Sequence, residues 1–144
     1  MKRFFVLQMV VSLCLTSACS LSNSKKATPL SAVYTRVTKT GTRTATLTLL
    51  LSQGNFQLTD TRQGVLWAGS YKAEGDLITF TASESGQVGK TICPAPDPYS
   101  YHWSLDDSTH QMTFTKGEDL CAFRAQEMTE NAWTQQVIDS TPEK

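Results

Sequence analysis

The sequence predicts a mainly β domain: a single small up-and-down antiparallel β-barrel, or a strongly curved sheet, of about seven or eight strands, with one C-terminal α-helix. Three observations carry this reading. Apolar and polar residues alternate through most of the segment between Leu30 and Phe114, which is the period of a half-buried strand. Short stretches bearing Gly, Asn or Asp interrupt the alternation at hairpin spacing. After Gly117 the apolar spacing lengthens toward that of a helix.

A first strand near Ser31 to Thr38 contains Tyr34. Thr44 to Ser52 puts Leu47, Leu49 and Leu51 on one face with threonines between them, and Gln53-Gly54-Asn55 turns the chain into Phe56, Leu58 and Asp60. Val65, Trp67, Gly69 and Tyr71 share a face of the next strand. Glu74-Gly75-Asp76 then leads into Leu77 to Ala82, where Ile78 and Phe80 lie together. Glycines, prolines and Cys93 between Ser83 and Pro98 predict a loop. With Asp107-Ser108 as a two-residue turn, Leu105 faces His110, Trp103 faces Met112 and Tyr101 faces Phe114, placing the large apolar residues on one face. Ala122, Ala125, Met128, Ala132 and Trp133 recur at roughly helical spacing. Glu118 and Asp119 precede them, where a helix N-terminus favours negative charge.

The N-terminus has a different character. Lys2 and Arg3 precede an uncharged apolar stretch, Phe4 to Leu15, that is too short to span a bilayer, and small residues Thr16-Ser17-Ala18 lead to Cys19. The run Leu15-Thr16-Ser17-Ala18-Cys19 resembles the lipobox of bacterial lipoproteins, with Thr16 where that motif most often carries Leu. The resemblance implies that residues 1–18 are a signal peptide and that Cys19 is acylated. More than one acyl chain, at about 0.8 kcal/mol per buried methylene, makes a stable anchor. Ser20 in place of Asp implies sorting to the outer membrane, with the domain facing the periplasm. Residues 19–30, rich in Ser, Lys and Thr, read as a lipidated flexible tether, residues 31–136 as the domain and residues 137–144 as a disordered tail.

Loss of the signal removes Lys2 and Arg3 from thirteen basic residues and leaves thirteen acidic ones, a slightly acidic chain without a nucleic-acid footprint. Lys25, Lys26, Arg36, Lys39 and Arg43 fall early in the remaining chain and read as a solvated region rather than a lipid-headgroup site. Cys14 departs with the signal and Cys19 is consumed by lipid. Cys93 and Cys121 are left, and in an oxidising compartment they read as a disulfide worth roughly 3.5 kcal/mol by chain entropy. Metal binding is disfavoured, since neither cysteine has a neighbour at ligand spacing. His102 points outward and His110 lies near a turn, while Asp106 and Asp107 flank that turn for backbone reasons. No nucleophile elbow, phosphate loop or zincin pair is present. We expect no catalytic residue, no cofactor and no metal.

The ordered set Gly69-x-Tyr71-x-x-x-Gly75-Asp76-x-Ile78-x-Phe80, Cys93, Tyr101-x-Trp103-x-Leu105-Asp106, Met112-x-Phe114, Asp119-x-Cys121-x-x-Arg124 and Trp133 resembles small bacterial lipocalin-like proteins of the calycin type. This implies a barrel open at one end that holds a small apolar or amphipathic molecule. The Gly-x-Trp signature of lipocalins is replaced by Ser31-Ala32-Val33-Tyr34. Tyr34 is expected in the tryptophan's place, with Arg124 across its ring as a structural cation–π contact. Two functions stand open, the first favoured because nine large apolar or aromatic residues point one way. In one, Leu47, Leu49, Phe56, Trp67, Tyr71, Phe80, Tyr101, Trp103 and Phe114 line a ligand cavity. In the other they fill a core, and the outer surface meets an envelope protein partner as an accessory subunit or hydrolase inhibitor.

Anchoring by Cys19 is directly testable. Metabolic labelling with a fatty-acid probe is expected to mark the chain, and Cys19→Ser is expected to release it from membranes. An unlabelled chain, or a variant still firmly membrane-bound, contradicts the anchor.

Overall fold

Eight strands, all antiparallel to their neighbours, close into one barrel in chain order in the computed structural model, which describes residues 30–93 and 98–136. The signal peptide, Cys19, nearly all of the tether and the tail lie outside the described residues. The strands are β1 (Ala32–Thr40), β2 (Arg43–Ser52), β3 (Asn55–Asp60), β4 (Gly64–Glu74), β5 (Leu77–Ser85), β6 (Tyr99–Asp106), β7 (Gln111–Lys116) and β8 (Trp133–Gln135). Two helices, α1 (Gln87–Ile92) and α2 (Ala122–Thr129), lie in the connections β5–β6 and β7–β8. This mainly β closed barrel is compatible with the lipocalin-like architecture that the motifs imply.

Alternation decides which end each connection occupies. Leu30, the turn Gln53-Gly54, the turn Gly75-Asp76, residues 107–110 and Gln136 lie at one end, here the N-terminal end. The turn 41–42, the turn 61–63, α1 and α2 lie at the other, the cap end. Gln53 and Gly54 both have positive φ, at 49° and 80°, the twist a tight two-residue hairpin demands.

Inward residues form one cluster that includes Tyr34, Leu47, Leu49, Phe56, Trp67, Tyr71, Phe80, Tyr101, Phe114 and Trp133. Phe80 has five aromatic neighbours at centroid distances of 4.9 to 6.5 Å: Phe56, Tyr71, Tyr99, Tyr101 and Phe114. Those are contact distances for rings, so side chains occupy the middle of the barrel. Trp103 is only partly buried and packs against this cluster from its margin.

Several expectations need correction. Trp103 faces Phe114 and Leu105 faces Met112, while Tyr101 pairs with Lys116, two positions from the expected register. The turn takes four residues because Asp106 Oδ1 accepts the N–H groups of Ser108 at 2.9 Å and Thr109 at 3.3 Å, and His110 adopts φ 54°. A shift of two preserves parity, so the same residues still face inward. Val65 does not share the inner face with Trp67. A bulge lets Leu58 pair with Trp67 and Thr59 with Val65, which turns the extra residue Leu66 into the core. Part of the expected loop after Ser83 is the helix α1.

The C-terminal helix is real but ends at Thr129 and leaves Ala122 exposed. Trp133 belongs to β8 instead. Its pairings with Met112 of β7, and those of Gln135 with Tyr34 and Thr134 with Thr35 of β1, close the barrel. Unpaired strand edges are unfavourable, and β8 removes the last pair. Trp133 is fully buried and its Nε1–H donates to the Met128 carbonyl at 3.1 Å, locking strand to helix. A second bulge, near Gly69, brings the facing strand so close that a Cβ there would stand 2.1 Å from the Thr81 carbonyl oxygen.

Replacing Trp133 with Ala should lower the unfolding free energy by about 3–5 kcal/mol without changing the urea m-value. An unchanged denaturation midpoint would contradict a closing role for β8.

Candidate functional site

Polar and charged side chains that are buried gather at the cap end, in two clusters. The first grows from β6, whose alternation sends Tyr99 and Tyr101 inward. After β7 the chain turns at Gly117, where a Cβ would lie 2.7 Å from the Ser100 carbonyl oxygen. Ser100 N–H donates to the Glu118 carbonyl at 2.9 Å, and Glu118 N–H to Ser100 Oγ at 3.2 Å. This stitching sets the Asp119 carboxylate against Tyr101.

Asp119 then collects donors. Arg124 Nε reaches Oδ2 at 2.9 Å and Nη2 reaches Oδ1 at 2.8 Å, a side-on bidentate pair. Cys121 N–H adds a bond to Oδ1 at 2.8 Å, and the Tyr101 hydroxyl donates to Oδ2. Burial alone pushes the Asp119 carboxyl up, but Arg124, Tyr101 and Cys121 together outweigh it and hold the group below its ordinary value. The same burial drives the Tyr99 and Tyr101 phenols far upward, and Asp119 adds to the rise at Tyr101. Both therefore stay neutral.

Arg124 is expected across Tyr34, but its guanidinium carbon lies 3.6 Å from the centroid of Tyr99 and 5.6 Å from that of Trp67. The reason is topological. Tyr34 pairs with Gln135 and Leu49 toward the N-terminal end of β1, whereas α2 brings Arg124 to the cap end. Cys93 and Cys121 form the disulfide, with Cα atoms 5.7 Å apart, within the ordinary span. It ties the C-cap of α1 to the N-cap of α2.

The second cluster escaped the sequence reading. Arg36 points inward from β1, Nη2 lies 2.6 Å from Glu127 Oε2, Nη1 lies 3.6 Å from Glu130, and the guanidinium covers the Trp133 ring at 5.3 Å. Its signal was legible, since Arg36 shares parity with Tyr34. Burial pushes the Glu127 carboxyl up despite the pull of Arg36. Asp60 is also buried, and Oδ1 accepts the Arg62 N–H at 2.6 Å.

Among the hollows on this end, two border the buried carboxylates Asp60 and Asp119. One of about 280 Å³ is lined by Asp60, Arg62, Glu127, Val88 and Phe123 together with Ile92. The other, a groove of about 770 Å³, lies between α1, Pro98 and the start of α2, with Ile92, Leu120, Tyr99, Arg124 and the disulfide among its walls. Leu120 is 97% exposed, far more than the other exposed large apolar residues. His102 and His110 are both exposed on the barrel's outside, with His102 Nδ1 3.0 Å from Asp76 Oδ2. Among the described residues, no three His, Cys, Asp or Glu side chains are grouped to hold a metal ion.

No family model, curated protein or solved structure matches the chain.

The buried Asp119–Arg124 pair has a defined pH signature. Its carboxyl has a lowered pKa in the folded state, so it adds stability above the unfolded value near 3.9 and loses it as pH falls through the lower folded value. Asp119→Asn is therefore expected to cost about 3–5 kcal/mol at neutral pH. The gap from wild type should narrow on titration to pH values below the usual carboxylate range, as read by thermal melts. A gap independent of pH would contradict the ionised assignment.

Proposed function

We propose that this chain is a non-enzymatic, lipid-anchored binding protein of the bacterial cell envelope whose recognition surface is the cap end rather than the barrel interior. The observation that carries this reading is the ring-to-ring packing around Phe80, which occupies the space where a lipocalin-like ligand would sit. None of the five described cavities is lined by Phe80, Tyr101 or Phe114.

Orientation supports it. The described chain begins at Leu30, whose carbonyl accepts the Tyr71 hydroxyl at the N-terminal end of the barrel, opposite both helices. An acylated Cys19 anchors the chain eleven residues before Leu30. It holds the N-terminal end toward the outer membrane and leaves the cap facing the periplasm. The disulfide and the buried ion pairs stiffen that cap, and pre-organisation reduces the entropy lost on binding. The two histidines are exposed and Tyr99 and Tyr101 stay neutral, so none of these four described groups is poised as a nucleophile or base.

A photo-crosslinking residue placed at Leu120 of the membrane-anchored full chain, and separately at His110 on the opposite end, tests this in the host. Intact-mass adducts are expected from Leu120 and not from His110. Adducts confined to His110, or a molecule released only when the barrel unfolds, would overturn the reading.

A further inference from the structure

The smaller hollow at the cap end leaves two carboxylates incompletely bonded. It is walled by the cap ends of β1, β2 and β3 and by both helices. Asp60 is 5% exposed; its Oδ1 accepts the Arg62 N–H at 2.6 Å and stands 3.6 Å from Arg62 Nε, whereas Oδ2 accepts no hydrogen bond among the described residues. Glu127 gives Oε2 to Arg36 Nη2 at 2.6 Å and leaves Oε1 without a donor among the described residues. Neither free oxygen is sealed off, in contrast to Arg124 Nη1, which is buried and unbonded. A carboxylate oxygen taken from bulk water without a donor keeps part of its desolvation cost, and an arriving ammonium recovers it.

The other polar walls are cationic. Arg43, at the start of β2, is exposed and makes no salt bridge among the described residues. Arg62 approaches Asp60 only at 3.6 Å through its side chain, longer than a hydrogen bond. Two carboxylates and two guanidiniums therefore share one space, while Arg36 behind Glu127 is matched by Glu130 at 3.6 Å. A lone cation or anion entering it satisfies one pair and is opposed by the other, whereas a molecule carrying both charges satisfies all four. The remaining walls are apolar, with Leu47 and Leu66 buried and Val88 and Phe123 half-buried. The volume of about 280 Å³ lies just under the range of drug-sized sites, which selects a smaller ligand.

We propose that this hollow binds a small zwitterion, an α-amino acid with an apolar side chain, its ammonium on Asp60 and Glu127, its carboxylate on Arg43 and Arg62, and its side chain against Val88 and Phe123. The proposal rests on the cap end being the recognition surface and adds the chemical class of the ligand. Asp60 and Arg62 stand side by side, which matches opposite charges borne next to one another on an α-amino acid rather than at the two ends of a long chain.

The test uses the exported full chain carrying Cys19→Ser at neutral pH, titrated with L-leucine, with L-leucinamide, which lacks the carboxylate, and with N-acetyl-L-leucine, which lacks the ammonium. Backbone amide NMR follows the binding. Leucine is expected to saturate and to shift amides of Thr38, Gln63, Val88 and Phe123, and each single-charge analogue should bind at least about tenfold more weakly. Arg43→Gln, at an exposed position that leaves the fold intact, should weaken leucine by about tenfold and leave leucinamide unchanged. Asp60→Asn, which keeps an acceptor for the Arg62 N–H, should abolish the preference for leucine over N-acetyl-leucine. Equal binding of the three probes, a preference retained in Asp60→Asn, an unaffected Arg43→Gln variant, or no saturation into the millimolar range overturns the ligand class while leaving cap-end recognition standing. Saturable shifts centred on Phe80 and Phe114 instead would overturn both.

Discussion

One buried carboxylate organises the half of the molecule that has chemistry. Asp119 sits on no strand and on no helix, yet it binds Tyr101 of β6, Arg124 of α2 and the backbone of Cys121 at once. Through Cys121 the disulfide extends this hold to α1. A carboxylate removed from water is costly unless each oxygen is fully bonded. Here four donors from three segments meet that cost, which ties those segments to one point. The cap therefore has one geometry, and the grooves at its edges inherit it.

Most of the barrel was legible because strands with one buried face announce themselves by parity. Leu47, Leu49 and Leu51, then Phe56 and Leu58, then Ile78 and Phe80, all face inward as their alternation requires. Parity also explains why the misplaced β6–β7 register did no harm to the assignment of faces. What parity cannot carry is an inserted residue. The bulge at Leu66 reverses the faces on either side of it, and no residue type marks it in advance. Trp133 failed for a different reason: three residues are too few to show a period, and the spacing from Met128 fits a helix as readily as the strand that closes the sheet.

At the candidate site the ingredients were visible and the partners were not. Asp119, Cys121 and Arg124 stand within six positions, and the resemblance their motif carries gave Arg124 a structural role. Which ring Arg124 covers depends on where a connection of sixteen residues, 117–132, returns its helix. That is a property of the closed barrel. Arg36 illustrates the converse case. Its inward parity was plain, but a basic residue early in the chain was read with its neighbours Lys39 and Arg43 as solvated surface. Only the helix carrying Glu127 and Glu130 supplies the carboxylates that make its burial tolerable.

Filling the barrel and building the cap are linked choices. A barrel of eight strands has an interior just wide enough to be filled by side chains, and here Phe80 and its neighbours take that volume. Under the proposed function, recognition then falls where the sheet ends and the connections are long. Among the described residues, only the cap end has long connections; at the other, the hairpins are two to four residues and the described chain begins and ends. The same asymmetry that spends the interior on packing concentrates every buried ion pair, the disulfide and the fully exposed Leu120 at one pole. A rigid body with its chemistry at the pole farthest from the start of β1 suits the proposed presentation from a surface better than enclosure of a cargo.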